Sequence, residues 1–167
     1  MNDAHGVIHL HSCHAALAPH LEWTLSHVLG APIRLDWTEQ RLDAGTVCAT
    51  LMWEGPSGSA SRVASALRGW EQTRFEIWES TGINRDGVRY VHTPELGIFF
   101  TLTDAAGNSM VGEDRIRYAM DMAAGDVAEL EHELSLALGT AWDEELEPFR
   151  RASERRNTVL RRVNSAV

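Results

Sequence analysis

Alternation of apolar and polar residues in the first eighty positions predicts four strands. In residues 6–12, Ile8 and Leu10 alternate with His9 and His11, which is the two-residue period of a strand with one buried face. The same period predicts three further strands, at residues 31–37, 45–55 and 73–79. Each of these strands would turn one side to an apolar core and show the other side as a polar surface.

Two stretches with helical spacing separate these strands. The first begins near Pro19, which is tolerated only in a first turn, and ends at Gly30, a residue typical of a left-handed C-cap. The second covers residues 59–70, where Val63 and Leu67 share one face. The order strand, helix, strand, strand, helix, strand is the split βαβ arrangement of ferredoxin-like domains, with both helices on one face of an antiparallel sheet.

The remainder of the chain extends this core with hairpins and then with helices. Turn residues separate strands at 87–93, 98–103 and 109–111, and helical spacing follows at 113–122, 126–139 and 140–152. The predicted fold class is therefore α+β, with a ferredoxin-like core, an antiparallel sheet extended by hairpins, and C-terminal helices. One domain spans residues 1–148, divided into a core (6–80), a hairpin extension (81–112) and helices (113–148), and residues 149–167 form a basic helix or tail.

Composition agrees with a single soluble domain. The 167 residues are 44% hydrophobic and 23% charged, and they contain no apolar run long enough to span a bilayer. The N-terminus lacks the pattern of a signal peptide, so a cytoplasmic protein is expected. Cys13 and Cys48 are not in a paired metal or redox spacing, and buried reduced thiols are the preferred interpretation.

Charge is segregated along the chain. Residues 113–147 hold eleven acidic residues against two arginines, a net charge of -9, whereas residues 149–167 hold six arginines against one glutamate, a net charge of +5. An acidic body disfavours nucleic-acid binding. The two segments could neutralise each other within the domain or between two copies, which leaves a homodimer open. The absence of lysine excludes Schiff-base chemistry and the lysine-bearing phosphate loop.

The histidine pair of the first strand is the leading candidate for chemistry. His9 and His11 would lie about 7 Å apart on one side of the strand, a spacing that is compatible with a metal or with acid–base catalysis. His20 or Glu22 could orient such a base. No complete metal-ligand set is visible, so no metal is predicted, with His9 and His11 as the only candidates. Histidines on a solvated sheet surface are the simpler explanation.

The polar side of the predicted sheet is the candidate ligand surface. By alternation it would also carry five residues suited to holding a small anion or a partner: Arg34, Asp36, Arg74, Glu76 and Trp78. Cross-strand ion pairs, or a cover of late hairpins and helices, would explain the same residues without a ligand.

The glycine-rich stretch before the second helix is a further candidate. In GPSGSAS, free amides and the helix dipole could hold a phosphate group. A flexible loop capped by Ser59 or Ser61 is the simpler interpretation.

Several uncommon strings recur together in one known family. The segments are HSCHAALAPHLEW, APIRLDWTEQ, SALRGWEQTRFE, RYVHTPELGIFF, GNSMVGEDRIRYAM and AWDEELEPFRRA. In this order, and along nearly the whole chain, they resemble a family of short actinobacterial proteins of unknown function, DUF3145. The resemblance implies no established activity, cofactor or catalytic residue. It does imply a link to type II fatty-acid synthesis, near whose genes some family members are encoded.

Together these features predict a cytosolic, non-catalytic ligand-binding or regulatory protein-interaction module without a cofactor. The expected partner is a cytosolic protein, in one form an enzyme of lipid synthesis, or a small anionic ligand. Nucleic acid and membranes are not expected partners. The alternative is a small enzyme that uses His9 or His11 as general acid or base, with Arg34 or Arg74 holding an anion.

Overall fold

The computed structural model describes residues 4–80, 82 and 86–164, without the side chains of residues 154–164. Within this part of the chain, seven strands form one antiparallel sheet and five α-helices pack around it. The α+β prediction is thus confirmed, and so is the extension of the sheet by hairpins. Residues 84 and 85 of the turn before the strand at 87–93 lie outside the described residues, as do the side chains of the Arg-rich end from residue 154 onward.

The histidine-bearing strand lies in the interior of the sheet, third in the strand order. The strand order is β2-β3-β1-β4-β5-β6-β7, and β1 pairs antiparallel with both β3 and β4. The strands are β1 (Ala4–His14), β2 (Thr38–Glu39), β3 (Thr46–Gly55), β4 (Arg74–Ser80), β5 (Gly87–Thr93), β6 (Gly97–Thr103) and β7 (Ser109–Met110). The helices are α1 (Ala18–Leu29), α2 (Ser59–Leu67), α3 (Glu113–Ala123), α4 (Val127–Leu138) and α5 (Thr140–Asn164).

The main core lies between the sheet and the pair α1 and α2. Ile8 and Leu10 of β1 point to this side, as their alternation with the histidines predicted. Helix α1 starts with Pro19 in its first turn and ends at Gly30 with φ +70°. Each fully buried aliphatic side chain here contributes about 2 kcal/mol of transfer free energy. The largest fully buried residues of this cluster are Ile8, Leu10, Leu21, Leu25, Val63, Leu67, Phe75 and Ile77.

The second predicted strand is wrong over residues 31–37, which have no regular secondary structure. Their backbone donors are used by α1 instead of a neighbouring strand. Glu22 accepts a hydrogen bond from the amide of Leu35 (2.9 Å), and the Ser26 hydroxyl accepts one from the amide of Ile33 (2.9 Å). Only the two residues of β2, directly after this segment, pair with β3 in the sheet.

The opposite face of the sheet is covered by α5. The Trp142 indole donates a hydrogen bond to the carbonyl of Gly97 (3.0 Å) and packs on the ring of Phe99. Helix α5 contacts β1 and β5 and continues through Asn164, across the predicted boundary at 148/149. The part of the polar sheet surface that lies under α5 is therefore enclosed between the strands and a helix. Within the described ranges, no helix combines the length and apolar character that a bilayer crossing requires.

Candidate functional site

A group of charged side chains lies between the sheet and α5, and we call it the ionic cluster. Glu76, 4% exposed, is its centre. Its carboxylate accepts hydrogen bonds from the guanidinium groups of Arg89 (2.8 Å) and Arg150 (3.1 Å) and from the ring of His11 (3.3 Å). Asp143 bonds both arginines, at 2.5 Å from Arg89 and 2.8 Å from Arg150. The members of the ionic cluster are His9, His11, Glu76, Arg89, Asp143 and Arg150.

The local structure explains why these side chains meet. Glu76 of β4 lies directly opposite His9 of β1, so both side chains lie on the same face of the sheet. The pairing of β1 shifts register between Leu10 and Ser12, and this bulge places the ring of His11 against the same carboxylate. Asp143 and Arg150 are seven residues apart in α5, which is two helical turns, so they reach down on the same side.

Electrostatics keeps the carboxylates of the cluster ionised. Burial on its own raises the pKa of Glu76, but the hydrogen bond from His11 and the charges of Arg89 and Arg150 outweigh it and lower the pKa to about 2. The pKa of Asp143 is also lowered, because hydrogen bonds from the same two arginines outweigh its burial. Each of the two carboxylates is paired with a guanidinium group. Neither carboxylate is therefore poised to exchange a proton near neutral pH.

Of the four residues considered for catalysis, the structure brings only His9 and His11 together. Their rings stack with centroids 5.7 Å apart, and Nδ1 of His9 lies 3.1 Å from the Thr50 hydroxyl. Burial, and then the proximity of His11, lower the pKa of His9, so its imidazole is neutral at neutral pH. His20 is exposed on α1, beside Trp70, in the layer on the other side of the sheet.

Glu22 also lies on α1, on the other side of the sheet from the two histidines, and it has a structural role. Besides the Leu35 amide, its carboxylate accepts hydrogen bonds from the Trp37 indole (3.0 Å) and from Arg34 (2.8 Å). The amide of Leu35 and the guanidinium of Arg34 lower the pKa of Glu22, against a smaller opposing effect of burial. Arg34 and Asp36 were expected on the polar sheet face, but they lie in the irregular segment, with Asp36 exposed. That placement was wrong because the segment is tied to α1.

Arg74 and Trp78 do lie on the sheet face that carries Glu76. Arg74 pairs with Glu145 of α5 (3.2 Å), and its guanidinium stands 4.8 Å from the ring centre of Phe149. The ring of Trp78 is covered by the guanidinium of Arg89 at 5.0 Å. Arg74 is therefore bound to α5, and Trp78 packs against a member of the ionic cluster.

The glycine-rich loop before α2 already holds an anion from the chain itself. The carboxylate of Glu79 accepts hydrogen bonds from the amides of Gly58 (2.6 Å) and Ala60 (2.7 Å) at the start of α2. It occupies the position that a phosphate group would take. The expected serine cap is wrong for Ser59, whose hydroxyl donates to the carbonyl of Pro56.

The Cys13 thiol is not placed to act as a nucleophile, and the described residues hold no group suited to binding a metal ion. Burial, and then the neighbouring Cys48, raise the pKa of the Cys13 thiol to about 12, so this thiol stays protonated. No group of three or more His, Cys, Asp or Glu side chains placed to hold a metal ion occurs among the described residues.

Three members of the ionic cluster were missed by sequence reasoning: Arg89, Asp143 and Arg150. Alternation in β5 does indicate the position of Arg89. Val88 and Tyr90 pack on the apolar core, so Arg89 between them points to the other face of the sheet. For the two residues of α5 the only signal is their spacing of seven, and spacing does not tell which surface a helix covers.

A second surface feature is an exposed row of apolar side chains beyond α2, which we call the apolar strip. Directly paired residues share a sheet face. Ile77 of the core pairs with Tyr90, and Tyr90 pairs with Phe100, so Tyr90 and Phe100 lie on the same sheet face as the core. Leu102 and Met110 continue it to β7. Its exposed fractions are 37% for Ile98, 50% for Phe100, 51% for Leu102 and 46% for Met110. The apolar strip consists of Tyr90, Ile98, Phe100, Leu102 and Met110.

In a comparison with protein families, residues 7–162 match the family described as protein of unknown function (DUF3145). The resemblance of the quoted segments is confirmed by this match. No curated protein and no solved structure matches the chain.

Proposed function

The chain belongs to the family of proteins of unknown function DUF3145, and we propose that it is a non-catalytic protein-interaction module that docks a partner on the apolar strip. The observation that carries this proposal is the exposure of Phe100 and Leu102, about half of each side chain, on the same face as the core. Contiguous apolar surface of this kind typically marks an interaction site in a soluble protein.

The expected occupant is an amphipathic helix of a cytosolic protein. Strands lie about 4.8 Å apart, so the distance from β5 to β7 is about 10 Å, close to the diameter of one helix with its side chains. Helices α1 and α2 already cover the neighbouring strands in the same layer. A helix from the partner would continue that layer and bury the apolar strip as α2 buries Phe75 and Ile77. We also propose that the core is ferredoxin-like, supported by the antiparallel order β2-β3-β1-β4.

The ionic cluster supports a non-catalytic function. Its carboxylates and guanidinium groups are bound to each other beneath α5, which leaves no unpaired charge to hold an anionic ligand. The enzyme alternative has one observation in its favour, the neutral imidazole of His9 near neutral pH. A His9→Gln chain and a His11→Gln chain that each restore a deletion strain as fully as the native chain would end that alternative.

The test compares two surface variants in capture from the native cytosol followed by titration with the purified partner. Phe100→Ser combined with Leu102→Ser should weaken binding by about a hundredfold, because interface residues of this kind contribute about 1–2 kcal/mol each. Met52→Ser is the matched control, since Met52 is 82% exposed on the other face of the sheet. The partner's identity also tests the suggested link to fatty-acid synthesis.

Two results would contradict the proposal. One is the recovery of no stoichiometric protein partner whose binding depends on the apolar strip. The other is equal affinity of the native chain and the double variant, with near-UV circular dichroism showing that both are folded.

A further inference from the structure

Helix α3 presents an exposed face that is both acidic and apolar. Asp114, Tyr118, Asp121 and Met122 follow i, i+4, i+7, i+8 spacing, so they share one side of the helix, which we call the α3 face. Tyr118 is 48% exposed and Met122 is 51% exposed. Helix α3 turns its small residues Ala119 and Ala123 inward, so its largest apolar side chains remain at the surface.

The charge of this face is not neutralised within the described residues. Both arginines lie in α3 and pair with glutamates, Arg115 with Glu133 of α4 (2.9 Å) and Arg117 with Glu113. The Arg115 guanidinium also stands 4.9 Å from the ring centre of Tyr118. Seven acidic residues against these two arginines give residues 113–138 a net charge of -5. Asp114 and Asp121 have no ion pair in the described part of the chain, so the α3 face favours a basic occupant.

We infer that the α3 face of one copy binds the basic C-terminal segment, residues 154–167, of a second copy, forming a homodimer. This segment carries four arginines against one glutamate, a net charge of +3. Its sequence places Val159 and Val163 four residues apart, with Arg155 four residues earlier, and Leu160 beside them. In helical spacing this pattern gives an apolar row flanked by positive charge, the complement of an acidic face with a tyrosine and a methionine.

Chain geometry favours a second copy over the same chain. Trp142, Asp143 and Arg150 hold the first part of α5 against the sheet, and the helix, which includes Pro148, continues through Asn164. At 1.5 Å per residue, Val159 lies about 29 Å along α5 from its start. Helix α4, joined to α5 through Gly139, is only about 18 Å long. Helix α3 follows β7 at one edge of the sheet, whereas Arg151 and Ala152 of α5 line a pocket with Leu42, next to β2 at the other edge. Residues 154–164 therefore begin on the far side of the sheet from the α3 face of their own chain.

Charge exchange in the full-length chain tests the inference by sedimentation velocity over a wide range of concentrations. The native chain should be a dimer. Asp114→Arg with Asp121→Arg, or Arg155→Glu with Arg156→Glu, should weaken the dimer by at least about tenfold, because like charges then face each other. Combining all four substitutions should restore the native affinity to within about threefold.

A matched control separates this contact from a general effect of charge. Glu131→Arg with Glu144→Arg changes the net charge as much as the α3 variant does, at exposed positions away from the α3 face. This control should keep the native dimer, and so should the Phe100→Ser and Leu102→Ser chain. A native chain that is monomeric throughout would overturn the inference, and so would a dimer indifferent to the α3 reversal, an exchange that fails to restore it, or a control that dissociates equally.

Discussion

Replacing Glu76 with glutamine removes the one buried charge that three donors share. Arg89, Arg150 and His11 all bond the Glu76 carboxylate, whereas the amide of glutamine keeps the shape but offers a single neutral acceptor. Arg89 and Arg150 would still bond Asp143, so α5 should stay attached. The expected result is a folded but strongly destabilised protein.

The size of the destabilisation by Glu76→Gln follows from the pKa of the Glu76 carboxyl. Its fall from 4.5 to about 2 is worth about 3 kcal/mol at pH 7, since each pH unit corresponds to about 1.4 kcal/mol. Breaking a buried ion pair by removing one partner costs a similar amount, about 3–5 kcal/mol. The stabilisation is complete above pH 4.5 and is lost as the pH falls towards 2. At pH 3 the native chain has therefore already lost more than half of it.

Urea unfolding at pH 7 and pH 3 measures this effect. The Glu76→Gln chain should be less stable than the native chain by about 3 kcal/mol at pH 7 and by less than half as much at pH 3. The control is Glu113→Gln, which breaks a surface pair whose carboxylate side chain is 76% exposed and should cost less than about 0.5 kcal/mol at either pH. A difference at pH 7 below about 1 kcal/mol, or one that is unchanged at pH 3, would refute the account of the ionic cluster.

Three further outcomes are expected. Gly6→Ala should cost at least about 2 kcal/mol in urea unfolding, because its Cβ would collide with the backbone carbonyl oxygen of Trp78 and with the Trp53 ring. Gly69→Ala has open space and should stay within about 0.5 kcal/mol, so equal effects of the two substitutions would contradict this account. Glu22→Ala should cost about 2 kcal/mol by removing the acceptor that orders residues 31–37, and faster hydrogen exchange should be confined to that segment. In an NMR titration, His9 should show a pKa below 6.5, and its contribution to stability should be lost as the pH falls through that lowered value; an elevated pKa would be inconsistent with its burial.

Local periodicity in the sequence was enough to identify most elements and the faces of the central strands. The alternation of Ile8 and Leu10 with His9 decided which side of β1 faces the core, and the same rule placed Glu76 beside that histidine. The start of α1 at Pro19 also followed from the chain itself, because this restriction acts within a single helical turn. Information of this kind is local, so it is readable without knowledge of the fold.

The tertiary structure alone decided the fate of the polar face. Glu76 and Arg150 are 74 residues apart, and their meeting depends on where α5 packs, which no local pattern specifies. The strand expected at residues 31–37 was lost for the same kind of reason, since the Glu22 carboxylate competes for its backbone donors. The candidate ligand surface became a buried ionic cluster because a distant helix supplied its counter-charges. The exposure of the apolar strip likewise depends on how far α1 and α2 extend across the sheet. The sequence of β6 does not indicate which strands those helices cover.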